Sequence, residues 1–313
     1  MLWARMLGLV FGATTVAISA VLAAFMGGLA LGSALAARFA GRIRRPVRTY
    51  AFIEIAVGLY ALAVPLLFRG IDRVYAQVWQ QLHPSFYGFA FSRFLLATAV
   101  LLIPTALMGA TLPVLVAALQ RSSGNIAGAI ARLYTWNLTG AIAGVIAAGF
   151  FLLPRFGVRN TIWIAAAINL ALGLGAFLLD LKSLEVAVRT TLATDSNDEI
   201  DRPLPQAVAT GRFWLVCAFT SGFVTITMQV VWSRVLSMII GSSTYAFSIV
   251  LSLFLIGLAF GAYLASRSKN ADSRHLRRAV LMIEILTALT LYLSLRITSA
   301  TPNLLIASAF RLG

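Results

Sequence analysis

The stretch TTVAISAVLAAFMGGLALGSALAA, residues 14–37, contains no charged side chain over 24 positions. A helix needs about 20 apolar residues to cross roughly 30 Å of hydrocarbon, so this stretch is long enough for one crossing. Its apolar residues do not alternate with polar ones, unlike the strands of about 9–11 residues that build membrane barrels. We therefore predict a transmembrane helix here.

Further apolar stretches of similar length follow along the chain. They cover residues 49–68, 94–118, 131–153, 160–180, 213–233, 244–266 and 279–298. Hydrophobic residues make up 60% of the 313 positions and charged residues 11%, against about 45–50% and about 25% in soluble domains. The chain is therefore predicted to be an all-α, polytopic bundle of transmembrane helices whose main partner is the lipid bilayer.

The basic residues predict an orientation for the bundle. The net charge is +15, and 16 of the 25 lysines and arginines fall in four segments between the apolar stretches. These segments are 38–48, 119–132, 181–212 and 267–278. Alternating crossings place all four on one side, and cytoplasmic loops are enriched in basic residues, so we predict that they are cytoplasmic. The charge therefore indicates membrane topology and not nucleic-acid binding.

A duplication divides the chain into two similar units. Residues 1–38 and 230–267 align without a gap and are identical at 17 of 38 positions. The identities include residues that apolar composition alone would not align: Trp3/Trp232, Arg5/Arg234, Ser19/Ser248, Gly28/Gly257 and Gly32/Gly261. Both copies reach their first basic loop from the same side, which predicts two parallel repeats, as in major facilitator transporters.

The repeat sets the predicted domain boundaries. Residues 1–180 form a first membrane repeat, residues 181–212 a polar cytoplasmic linker, and residues 213–313 a second membrane repeat. An apolar stretch precedes the second copy but has no counterpart before Met1. We therefore expect the first helix of the first repeat to be truncated and the second repeat to be incomplete.

Two carboxylates, Glu54 and Glu284, lie inside apolar stretches at matching places of the repeats. An ionised acid at a helix centre costs about 2.5–3.5 kcal/mol on insertion scales, so such residues are candidates for function. They predict either a proton or cation site, or structural ion pairs with loop arginines such as Arg48 and Arg278.

A second matching pair, Arg5 and Arg234, follows Trp3 and Trp232 by two residues. These residues are typical of interface anchors, with the indole at the headgroups and the guanidinium extended toward water. The alternative is an anion-binding pair that faces a central cavity.

Glycines and prolines in the apolar stretches indicate how the helices pack. Gly28 and Gly32, repeated as Gly257 and Gly261, form small-residue faces that another helix can approach closely. Pro104 and Pro113 predict a kinked helix, which lines a binding site or serves packing alone.

Two further features of the sequence leave alternatives open. Asn137 lies inside an apolar stretch and is a candidate for substrate binding or for a hydrogen bond between helices. The aromatic-rich segment 70–92 predicts an interfacial helix on the outer face, or a lid over a substrate entrance. The sequence contains no nucleotide-binding glycine motif, metal-spaced His/Cys cluster or nucleophile motif, so we predict no catalytic residue, metal or cofactor.

Four blocks of the sequence resemble the membrane region of bacterial spermidine synthase-like fusion proteins. They are LWAR at 2–5, FMGGLALGS at 25–33, PTALMGATLP at 104–113 and LYTWNLTGA at 133–141. In that family a major-facilitator-like membrane module is joined to a soluble spermidine synthase-like domain. The resemblance implies a multi-pass protein of the bacterial inner membrane, with the synthase-like domain on a longer or neighbouring chain.

Three functions follow as hypotheses. The first is a non-catalytic membrane module of a spermidine synthase-like protein that binds or transports a small cationic amine through Glu54 and Glu284. The second is a free-standing, major-facilitator-like transporter of another solute. The third is an aminopropyltransferase-type enzyme whose catalytic domain lies outside this sequence.

Overall fold

The structure is a computed structural model that describes residues 15–82, 86–120, 126–193, 212–240, 243–267 and 278–294, together with residue 296. Within these ranges the backbone is helical almost throughout and contains no strand. The prediction of an all-α fold is therefore confirmed.

The helices of the described ranges follow the apolar stretches of the sequence. They are α1 (Thr15–Phe39), α2 (Pro46–Leu82), α3 (Phe86–Gln120), α4 (Ile126–Ile146), α5 (Leu153–Ala193), α6 (Arg212–Ile240), α7 (Ser243–Arg267) and α8 (278–294). A 3-10 turn, Ala40–Arg42, follows α1, and a π-helical segment, Ala147–Leu152, joins α4 to α5.

Six helical stretches in the described part of the chain are long and apolar enough to cross a membrane. One of them, Gly128–Lys182, has 55 residues, more than twice the length that one crossing needs. Its backbone leaves helical geometry at Gly157, where φ is 70° and ψ is 178°. Glycine adopts this conformation without the steric penalty of a side chain. The break falls between the predicted crossings 131–153 and 160–180.

The surface of the bundle agrees with contact to lipid. Large apolar side chains remain uncovered along the helices, among them Trp136 at 75% exposure and Phe219 at 74%. Large contiguous apolar patches of this kind are rare on soluble monomers. The structure thus supports a multi-pass membrane protein whose apolar faces contact the bilayer.

Parts of two segments that the sequence places outside the crossings, 70–92 and 181–212, are helical in the structure. Helix α2 continues to Leu82 and α3 begins at Phe86, so the described residues of the segment 70–92 extend two long helices and form no separate interfacial helix. Helix α5 likewise continues to Ala193, into the predicted linker 181–212. Hydrophobicity marks where a helix leaves the bilayer, whereas the helix itself ends where its backbone hydrogen bonding stops.

Helices α1 and α3 approach each other closely at three glycines. An ideal Cβ built on Gly32 would lie 1.8 Å from the backbone oxygen of Ala106, and one built on Gly109 would lie 2.2 Å from that of Leu29. At Gly28 the corresponding atom would lie 1.7 Å from Thr105 Oγ1. The small-residue face of the first repeat therefore packs directly on the proline-bounded stretch of α3.

The matching face of the second repeat is open. A Cβ added to Gly257 or Gly261 would meet no heavy atom of the described residues within 4 Å. Among the described residues, a neighbouring helix therefore packs on this glycine pattern in α1, whereas none does so in α7.

Helix α3 continues through both of its prolines, and α2 compensates for one of them. Pro104 has no N–H, so the carbonyl of Val100, four residues earlier, loses its helical donor. The Tyr60 hydroxyl of α2 donates a hydrogen bond of 2.7 Å to this carbonyl oxygen. The proline thus creates an acceptor that ties α3 to α2.

Replacing Tyr60 by phenylalanine is expected to lower the free energy of unfolding by about 1–3 kcal/mol. The substitution leaves the half-buried Val100 carbonyl without its donor, and an acceptor left unsatisfied away from water costs about this much. Thermal unfolding in detergent micelles measures the effect. Tyr292→Phe, at a tyrosine of α8 that is 59% exposed, provides the control. Equal stability of both variants would contradict this assignment.

Two further contacts join helices of the bundle, one within the first repeat and one between the repeats. Helix α2 packs on α5 at Gly58 and Gly173, where an added Cβ would lie 2.8 Å from Leu170 Cγ and 2.7 Å from Ile55 Cγ1, respectively. Helix α4 belongs to the first repeat but packs extensively on α7 of the second. In the π-helical segment after α4, the ring centroid of Phe150 lies 5.7 Å from that of Tyr245 on α7.

Candidate functional site around Glu54

Glu54 lies about two turns into α2, between two packed faces of that helix. Ala51 and Gly58 face α5, and Tyr60 faces α3. At about 100° per residue, Glu54 falls between these two directions. Its side chain is half-buried. The carboxylate is thus held within the first repeat and does not extend fully to the surface.

Tyr50 is the hydrogen-bonding partner of Glu54. The two side chains share a hydrogen bond, in which the phenol donates and the carboxylate accepts. Residues four apart lie on one face of a helix, so α2 itself brings the pair together. One donor leaves most of the acceptor capacity of a carboxylate unused, since its two oxygens can accept about four hydrogen bonds.

Arg48 does not supply the ion pair that was one prediction for Glu54. Its guanidinium carbon lies 5.8 Å from the ring centroid of Phe52 and 5.3 Å from that of Phe177. Six residues separate Arg48 from Glu54, which places them about 120° apart around the helix. Cation–π contacts to α2 and α5 therefore hold this arginine away from the carboxylate.

The second repeat reproduces the acid but not its partner. Glu284 is half-buried on α8, and Arg278 at the start of that helix is exposed. The position that corresponds to Tyr50 is Val280, which has no hydrogen-bond donor in its side chain. No hydrogen bond between Glu54 and Glu284 is found among the described residues. The two acids are therefore equivalent in the sequence but differ in their surroundings.

The other predicted site residues lie apart from Glu54. Arg5 is outside the described residues. Arg234 is exposed on α6, where the Ser237 hydroxyl donates to its carbonyl oxygen at 2.7 Å. Asn137 is exposed on α4 beside Trp136. The described contacts do not gather these residues into one site.

Sequence reasoning missed the residues that position Glu54. Tyr50 could have been found, because its spacing of four from Glu54 is the signal of a shared helix face. Gly58 and Gly173 are isolated glycines, and their role depends on which helix lies opposite. That information is absent from a local pattern.

The fold and this site together define a multi-pass membrane protein with a tyrosine-paired carboxylate inside a helical repeat. In the part of the chain that the structure describes, no three His, Cys, Asp or Glu residues are grouped so as to hold a metal ion. Comparison with known protein families, with curated proteins and with solved structures found no match.

Proposed function

We propose that the chain is a non-catalytic membrane module that binds a small cationic amine and moves it across the bilayer or presents it there. The observation that supports this proposal is the Glu54 carboxylate, which lies within an apolar helix and has no ion pair with an arginine of the described residues. Ionisable groups at membrane depth mark ion and substrate pathways by default. The resemblance to the membrane region of spermidine synthase-like proteins favours an amine as the cation.

The surroundings of Glu54 suit a primary ammonium group. The carboxylate accepts charge-assisted hydrogen bonds from the ammonium, which are stronger than those between neutral groups. The Tyr50 ring adds a face that attracts cations. The apolar side chains around the pair favour a cation with a hydrocarbon chain over a fully hydrated metal ion. In this proposal Glu284 is a second amine or proton partner in the other repeat.

The proposed architecture is a major-facilitator-like pair of parallel repeats around a central path. The sequence duplication supports it, since such transporters are built from halves related by an axis along the membrane normal. The packing of α4 on α7 supports it as well, because it joins the first repeat to the second. A soluble synthase-like domain, on a longer or neighbouring chain, would then receive the amine.

A free-standing transporter of another solute is the second candidate. The duplication favours it equally, because a repeat of this kind does not specify the substrate. The identity of the cation therefore separates the two candidates.

The test uses the purified chain in proteoliposomes and in nanodiscs. Labelled spermidine should bind saturably, and unlabelled putrescine should displace it whereas glucose should not. Saturable uptake would assign transport, and binding without uptake would assign presentation. The absence of any saturable amine binding would overturn the proposal. Aminopropyl transfer by the chain alone would overturn its non-catalytic character.

A further inference from the structure

The turn between α1 and α2 carries a dense group of arginines at one end of the bundle. This arginine turn, residues 38–48, has four exposed arginines and one half-buried arginine, Arg48. Arg44 already has an interaction within the protein. The three other exposed arginines, Arg38, Arg42 and Arg45, have no ion pair with any described residue.

Aromatic rings hold two guanidinium groups of the turn at the edge of the apolar surface. Arg42 lies over the ring of Phe39 with its guanidinium carbon 5.7 Å from the centroid, and Arg48 is stacked over Phe52 in the same way. Stacking uses the flat face of a guanidinium and leaves the N–H groups at its edge free to donate. Phe39 and Phe52 are themselves 42% and 54% exposed.

The arginine turn thus places hydrogen-bond donors next to an apolar surface, and few ligands bind to both. The guanidinium groups offer paired N–H donors, whose geometry matches the oxygens of a phosphate group. Directly beside Arg42, Leu35 at 47% exposure and Phe39 lie one turn apart on α1 and form an apolar wall on a membrane-spanning helix. A free phosphate ion would bind to the donors only.

We propose that the arginine turn binds the headgroup of an anionic phospholipid of the bilayer. The phosphate accepts hydrogen bonds from Arg42 and Arg45, and the acyl chains lie against the wall that Leu35 and Phe39 form on α1. Arg38, one turn before Arg42 on the chain, adds positive charge beside the headgroup. Each basic residue near an anionic surface contributes about fivefold in affinity.

The test measures lipid binding by native mass spectrometry of the full chain in neutral detergent, titrated with phosphatidylglycerol or phosphatidylcholine. The wild type should bind phosphatidylglycerol at least about tenfold more tightly, given the contribution of each arginine. The triple variant Arg38→Gln/Arg42→Gln/Arg45→Gln should lose about 100-fold in this affinity on the same basis.

A matched control removes three exposed arginines elsewhere: Arg132→Gln/Arg155→Gln/Arg159→Gln. It changes the net charge equally and should retain the preference for phosphatidylglycerol. An equal loss in both triple variants would overturn the proposal, as would equal affinity of the wild type for the two lipids. Displacement by inorganic phosphate as effective as by phosphatidylglycerol would assign a free-phosphate site instead and would also overturn it.

A second variant covers the case in which the glutamine triple does not fold. Arg38→Lys/Arg42→Lys/Arg45→Lys keeps the charge but lacks the planar donor pair. It should bind phosphatidylglycerol several-fold more weakly than the wild type, with a melting temperature close to that of the wild type. Unchanged affinity would overturn the assignment of the headgroup to these guanidinium groups.

Discussion

Gly32→Ala is expected to destabilise the bundle by about 3 kcal/mol or more, at the upper end of the range for overpacked sites. The new Cβ would lie 1.8 Å from the backbone oxygen of Ala106. A backbone atom cannot rotate away as a side chain does, so α1 and α3 must separate along their whole contact. Unfolding by heat or denaturant in micelles measures the loss.

The duplication provides a matched control with the opposite sign. Gly261 is the counterpart of Gly32, and no heavy atom in the described part of the chain lies within 4 Å of a Cβ at that position. Gly261→Ala should therefore be neutral or stabilise the protein by up to about 1 kcal/mol, because alanine is the better helix former. Similar destabilisation by both substitutions would show that the open face of α7 is occupied in solution, contrary to the structure.

Glu54→Gln is expected to weaken binding of a cationic amine by about 10-fold to 100-fold. Hydrogen bonds to charged groups contribute about 1.5–3 kcal/mol, and each 1.4 kcal/mol corresponds to tenfold in the dissociation constant. Glutamine keeps an oxygen that accepts from Tyr50, so the melting temperature should not fall. Displacement of labelled spermidine and thermal unfolding measure the two quantities.

Two comparisons sharpen this prediction. Glu199→Gln removes a carboxylate from the polar segment 181–212 and should leave binding unchanged. Glu284→Gln should have a smaller effect than Glu54→Gln, because Val280 gives it no hydrogen-bond donor. A fall in stability of Glu54→Gln without a loss of binding would show a structural carboxylate and contradict the proposed role.

The helices could be predicted from the sequence because the bilayer imposes a length and a composition on each crossing. The close packing at Gly28 and Gly32 could also be predicted, because small residues four apart present a flat face in any helix. The difference between these residues and Gly257 and Gly261 was not predicted. It depends on whether a helix such as α3 lies opposite, and the local pattern is identical in both repeats.

The candidate site around Glu54 could likewise be predicted only in part from the sequence. Because an ionised carboxylate is costly inside a membrane, its position in an apolar stretch identifies Glu54 as a candidate site residue from the sequence alone. The alternative of an ion pair with Arg48 stayed open in the sequence, because both residues lie near one end of the same helix. Only the packing of α2 on α5 reveals that the rings of Phe52 and Phe177 hold the guanidinium elsewhere. The partner of a membrane carboxylate is thus decided by tertiary contacts.

The most direct test of Glu54 as a cation partner compares two competitors of equal length in nanodiscs. Putrescine and 1,4-butanediol differ only in their charged ends, and each is titrated against labelled spermidine bound to the wild type and to Glu54→Gln. We expect the wild type to prefer putrescine by at least about tenfold, from the strength of one charge-assisted hydrogen bond, and the variant to lose this preference. The same preference in both proteins would contradict the account.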